Sequence, residues 1–143
     1  MRGYLDDPER TEAAFADGWF RTGDLAEARA DGRVALIGRA KEIINRAGNK
    51  VSPLEVEAVF LDHPDVREVL AAGAQDEERG EAIHLCVVAR PGAELDLAGL
   101  RDWARSRLDR FKLPDHLHLR AELPLGSTGK ADRRALRRMI EPG

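Results

Sequence analysis

One cysteine, Cys86, stands in 143 residues, so no internal disulfide can form and the secreted disulfide-scaffold class is excluded. A reducing cytoplasm is the default compartment. Long apolar runs are missing as well. No stretch approaches the roughly 20 residues that a membrane span needs, and residues 1–7 lack a signal-peptide hydrophobic region. There is no basic excess either: 23 Lys plus Arg stand against 26 Asp plus Glu, for a net charge of -3, which argues against nucleic acid or an acidic membrane as the main partner. What is present is 43% hydrophobic and 34% charged residues, in a length that suits one domain and buries roughly 68–70% of its unfolded surface.

The local signals give an order of elements. Asp7 and Pro8 predict a short helix over 8–15, which Asp17 and Gly18 end. Residues 19–22 have strand propensities, Gly23 and Asp24 read as a turn, and Asp31-Gly32 closes a hairpin whose return strand is 33–37. Residues 39–50 read as a linker with a short hairpin. Ser52-Pro53-Leu54-Glu55 has the form of a capping box, and the helix it opens carries Val56, Val59, Phe60 and His63 on one face before Pro64 stops it. Strands are expected over 66–74 and 83–88, around the polar turn 75–80. Asp96 caps a helix that turns Leu97, Leu100, Trp103, Ala104 and Leu108 inward. A strand over 116–120 precedes a last helix from about Asp132, with Ala135, Leu136, Met139 and Ile140 on its apolar stripe. This mixture, without the regular alternation of a doubly wound sheet, predicts a compact α+β fold.

Several residues invite a chemical reading. Residues 123–130 end in Gly129-Lys130, yet the glycine and the hydroxyl residue of a phosphate-cradling loop are replaced by Pro124 and Ala131, so a Walker-type NTPase is not indicated. What remains is a Gly-Ser-Thr-Gly loop from which Lys130 projects. Asp24 offers two acceptor oxygens, as two vicinal sugar hydroxyls require, although Thr22-Gly23-Asp24 alone is a plain turn. His116 and His118 share one face of a strand, but no third ligand stands near them in sequence and no metal is assigned. Cys86 reads as a small buried apolar residue, and Arg133, Arg134, Arg137 and Arg138 as a solvated helix face.

Taken in order, the motifs are specific: Gly3-Tyr4 with Asp7-Pro8-Glu9, then 18–25 (Gly-Trp-Phe-Arg-Thr-Gly-Asp-Leu), then 38–48 (Gly-Arg-Ala-Lys-Glu-Ile-Ile-Asn-Arg-Ala-Gly), then 51–57 (Val-Ser-Pro-Leu-Glu-Val-Glu), then Lys112-Leu113-Pro114 and 123–130. Over essentially its whole length the chain resembles the C-terminal portion of the AMP-forming adenylating enzymes: acyl- and aryl-CoA synthetases, luciferases and nonribosomal adenylation domains. The resemblance implies a small C-terminal domain of short mixed sheets flanked by helices, preceded by a strand-rich remnant of a large domain. Residues 1–38 would be the tail end of the large adenylating domain, 39–41 the hinge and 42–143 the mobile domain.

It also implies roles. Lys130 would be the catalytic lysine of adenylation, Asp24 and Arg39 would bind the ribose of ATP or AMP, and Lys41 would be the hinge residue. Gly48 would line the passage for the pantetheine arm of CoA, next to Ala47 where the family usually has a second glycine. The implied substrates are ATP, a carboxylic acid and CoA or a carrier-protein thiol, with Mg2+ held by an N-terminal core that this segment lacks. The isolated chain is therefore expected to be inactive, with no nucleic acid partner and no membrane span. The alternative is a free-standing, non-catalytic domain that docks on a separate adenylating core or carrier protein. In either case an exposed apolar patch is expected on the opening strands.

Overall fold

The computed structural model describes residues 3–141. They divide into two compact units, one ending at Lys41 and the other beginning at Glu42.

In the first unit, helix α1 (Pro8–Ala13) starts as expected, with the Asp7 carboxylate accepting from the Arg10 amide at 2.9 Å and Pro8 in its first turn. Strands β1 (Phe15–Ala16) and β2 (Trp19–Phe20) form a tight hairpin around Asp17 and Gly18, both at positive φ. Its two phenylalanine rings, Phe15 and Phe20, meet edge to face at 5.5 Å. The larger hairpin joins β3 (Asp24–Ala28) to β4 (Val34–Arg39). Here the sequence reading is corrected. The strand expected over 19–22 is shorter, Trp19–Phe20, and Asp24 does not lie in a turn. Gly23 is at φ 77°, and Asp24 opens β3, its amide bonded to the Thr22 hydroxyl at 3.1 Å and its position paired with Arg39. The propensities of Trp19 and Phe20 were satisfied by a nearer partner, Phe15–Ala16.

The second unit is built on a sheet in the order β6-β5-β8-β7, with β9 also paired to β8. Strands β5 (Ile44–Arg46) and β6 (Asn49–Val51) flank a two-residue turn, Ala47 at φ 49° and Gly48 at φ 82°. Two consecutive positive φ values are what a hairpin of this length needs. Helix α2 (Pro53–Leu61) begins where Ser52 predicts, its hydroxyl accepting from the Glu55 amide at 3.3 Å. Strands β7 (Val66–Asp76) and β8 (Gly80–Ala89) form a long antiparallel pair. Helix α3 (Leu97–Ala104) is capped by Asp96, and α4 (Arg133–Ile140) by Asp132. Strand β9 (His116–Leu119) runs parallel to β8, opposite the residues that β7 already pairs, so β8 is central.

Both faces of that central pair are covered, which is why the sequence of β7 and β8 reads as unbroken apolar runs rather than alternation. One face packs Val69, Ala71, Ile83, Leu85 and Val87 with Val56 and Phe60 of α2 and with Leu100 and Ala104 of α3. The other packs Leu70, Ala72, Cys86 and Val88 with Leu136 of α4 and Leu123. Phe60 is fully buried, worth roughly 1.5–3 kcal/mol of apolar transfer. At Gly73 of β7 a Cβ would lie 2.8 Å from Ile44 Cγ2 and 2.9 Å from Glu81 Oε1, so a side chain there would force those neighbours to shift.

Candidate functional site

The first unit brings two of the expected residues together. Asp24 opens β3 and Arg39 ends β4, and the register places them opposite each other. Arg39 Nε lies 3.3 Å from Asp24 Oδ1, with both side chains reachable from solvent. A carboxylate that accepts and a guanidinium that donates thus stand side by side, matched to a diol that does both.

Lys130 lies in the second unit, on a more constrained loop than the Gly-Ser-Thr-Gly sequence suggested. Leu125 and Ala131 form a bridge across its base. The Gly126 amide donates to the Lys130 carbonyl at 2.9 Å, and the Asp132 amide to the Pro124 carbonyl at 3.0 Å. The loop is a closed turn leading directly into the capped start of α4. Lys130 itself is exposed and makes no ion pair among the described residues, so its ammonium is available to an anion.

Gly48 sits at the exposed tip of the β5–β6 turn, with nothing within 4 Å of where a Cβ would stand. Two joints tie this region down. Arg46, next to that turn, makes a two-pronged contact with Asp115, Nη2 to Oδ1 at 2.6 Å and Nε to Oδ2 at 2.9 Å. Burial alone would raise the Asp115 carboxyl, but Arg46 and the Ile83 amide outweigh it and hold the carboxyl below the usual carboxylate range. Lys112 reaches Glu55 at 2.7 Å, joining the Lys-Leu-Pro motif to the first turn of α2. Motif residues far apart in sequence therefore meet as structural joints.

The arginine-rich helix face is a second correction. Arg133 is turned inward, not solvated. Its Nη2 contacts both oxygens of Glu57 at 2.8 and 2.7 Å, its Nη1 reaches Glu42 at 2.8 Å, and its Nε donates to the Ala71 carbonyl at 3.1 Å. Glu57 in turn accepts from the Ala71 amide at 2.8 Å. Strand β7 is the end of the sheet, so the outward backbone groups of Ala71 have no neighbouring strand. A carboxylate and a guanidinium take that strand's place. Burial pushes the Glu57 carboxyl up, despite the Ala71 amide and Arg133. Arg137 follows the same pattern more loosely, 3.4 Å from Glu81.

The third correction concerns histidine. A third imidazole does stand beside His116 and His118: His84 of β8, aligned with His116 by the parallel register. His84 Nδ1 and His118 Nε2 share a hydrogen bond at 3.0 Å, and His84 stacks on His116 with centroids 4.4 Å apart. The nitrogens of His84 and His118 are directed at each other rather than at a common centre, and among the described residues no group of three or more His, Cys, Asp or Glu is placed to hold a metal. Burial, reinforced by the neighbouring imidazoles His116 and His118, pushes His84 down to about 4.

A histidine whose folded pKa lies below its unfolded value of about 6.5 contributes stability that is complete above pH 6.5 and lost as pH falls toward 4. We expect the protein to lose about 2–3 kcal/mol over that interval. Replacing His84 with leucine should flatten the profile in urea titrations at pH 7, 6, 5 and 4. An unchanged slope would mean that His84 accepts a proton freely in the folded state.

Comparison with known proteins gives a consistent result. A family model described as the AMP-binding enzyme C-terminal domain matches residues 55–130. The Probable CoA ligase CCL9 of Humulus lupulus is 44% identical over 133 residues, which are 93% of this chain and 25% of that protein. The oxalate–CoA ligase of Arabidopsis thaliana is 41% identical over 133 residues, 93% of this chain and 26% of that protein. Among solved structures, the amide bond synthetase of Marinactinospora thermotolerans is 35% identical with a TM-score of 0.89, covering 96% of this chain and 28% of that one. The o-succinylbenzoate CoA synthetase of Bacillus subtilis, solved with its acyl-adenylate intermediate, is 31% identical with a TM-score of 0.87, covering 96% and 28%. The chain spans about a quarter of the length of the curated relatives it matches.

Proposed function

The chain belongs to the AMP-binding enzyme C-terminal domain family, and from that premise we propose that it is the C-terminal part of an ATP-dependent, AMP-forming carboxylic acid–CoA ligase. In the first half-reaction a carboxylate oxygen attacks the α-phosphorus of ATP, the bond to the bridging oxygen breaks, and pyrophosphate leaves. In the second, the sulfur of CoA attacks the acyl carbonyl, the thiol proton passes to solvent, and AMP leaves.

The observation that carries this reading is Lys130, an exposed ammonium with no ion pair among the described residues, at a closed turn. Adenylation brings two anions together and builds negative charge at the α-phosphorus, and a compact cation that touches both lowers that barrier. Asp24 accepts from the vicinal hydroxyls of the ribose while Arg39 donates beside it. Gly48 offers open backbone for a pantetheine arm to pass. We assign Lys41 to the hinge, with 42–143 moving as the small domain and 1–38 belonging to the large one, which would also hold the Mg2+ that accompanies ATP. Trp19, Val34 and Leu36, exposed at 81%, 71% and 67% in the first unit, are the apolar surface that a larger domain would cover. No helix among the described residues is long and apolar enough to cross a membrane. A cytoplasmic setting, where thiols stay reduced, suits both the free Cys86 and the thiol of CoA.

The hinge assignment is tested by Lys41→Pro in the full-length enzyme, which fixes φ at the pivot. We expect overall turnover to fall at least about tenfold, with one half-reaction retained. Full turnover would argue against alternation of the domain about this residue.

A further inference from the structure

We propose that Arg133 is a positioning residue that ties Glu42, the first residue beyond Lys41, to the body that carries Lys130, so that motion at the hinge is delivered to the catalytic lysine without slack. The proposal rests on the roles assigned above to Lys41 and Lys130; the geometry beneath it stands without them. Arg133 uses three edges of its guanidinium on three separate pieces of chain: Glu42, Glu57 of α2, and the Ala71 carbonyl of β7. A fixed planar fork can do this where a lysine's single point charge cannot.

The two limbs differ in what they do. Glu57 is buried and occupies the open edge of β7 together with Arg133, so that limb completes the fold. Glu42 caps nothing among the described residues. It lies beyond the last strand of the first unit and two residues ahead of Ile44, which is fully buried. A partly exposed ion pair adds little stability on its own. What the Glu42 limb does is remove the slack between the hinge and the core. On the other side of Arg133, every residue back to Lys130 is fixed: Asp132 bonds Pro124 through its amide and caps α4, and Ala131 is bridged to Leu125. One guanidinium thus joins the hinge end of the small domain to the stem of the lysine loop.

Glu42→Ala removes the hinge limb alone and leaves the Glu57–Arg133–Ala71 contacts in place, so the fold is retained. In 15N relaxation of the 143-residue chain, the amides of Glu42 and Ile43 should have order parameters of about 0.85 in the wild type and fall below about 0.6 in Glu42→Ala. Glu42→Gln, which keeps an acceptor, should restore most of the order. In the full-length enzyme Glu42→Ala should lower kcat of adenylation about tenfold, with KM for ATP changed less than about twofold, because Lys130 is misplaced while the nucleotide site is untouched. Unchanged order at 42–43 would overturn the anchor, and lost order with unchanged kcat would overturn the positioning role. A wild-type full-length protein that forms no adenylate with any acid would overturn the proposed function instead, and the relaxation arm would still decide the anchor.

Discussion

Replacing Lys130 with alanine in the full-length enzyme is expected to lower acyl-adenylate formation about 10²–10³-fold while thioester formation from supplied acyl-adenylate continues. The asymmetry follows from where charge develops. The carboxylate and the α-phosphate repel as they approach, and in the proposed reaction the exposed Lys130 ammonium lies between them. In the thioester step the nucleophile is sulfur and the electrophile a carbonyl, so that ammonium is not called on. The turn that carries Lys130 is held by backbone bonds at Leu125–Ala131 and Pro124–Asp132, none of which involves the lysine side chain, so the variant should fold normally. Equal loss of both half-reactions would remove Lys130 from the adenylation step.

The largest stability effect is expected at Arg133. Arg133→Met leaves Glu57, only 8% exposed, as an unpaired buried charge and strips the Ala71 carbonyl of its donor, at a cost of about 3–5 kcal/mol. Because burial already raises the Glu57 carboxyl, protonation relieves the defect. A group with a raised folded pKa contributes its stability below the unfolded pKa and loses it as pH rises. The gap between variant and wild type should therefore narrow toward pH 5. Glu57→Gln in the Arg133→Met background should return about 1–2 kcal/mol by removing the stranded charge while keeping an acceptor for the Ala71 amide. A urea-denaturation loss below about 1 kcal/mol would put Arg133 on the solvated face that its sequence pattern suggests.

That pattern misled for a physical reason. Within α4 the arginines stand opposite the apolar stripe, and helix periodicity carries no information about Ala71, Glu57 or Glu42, which lie 62, 76 and 91 residues away. His84 was hidden in the same way, since its partner His118 is 34 residues distant across a parallel pairing. Features decided within three or four residues were legible. Asp7, Ser52, Asp96 and Asp132 cap the helices their spacing marks, and the α+β class followed from the order of elements. Residues 19–22 show the limit of propensity: Trp19 and Phe20 do form a strand, but propensity does not say that its partner is Phe15–Ala16. For the site, Asp24 and Arg39 were marked by the family resemblance, and only the register of β3 and β4 showed that they face each other.

The central claim is that this segment supplies the adenylating lysine to a larger core, and ATP–pyrophosphate exchange tests it directly. The purified chain alone should show none. With the separately expressed N-terminal core and the cognate acid, exchange should appear with the wild-type chain and be lost with the Lys130→Ala chain. A core that exchanges equally well with either chain, or without any, would contradict it.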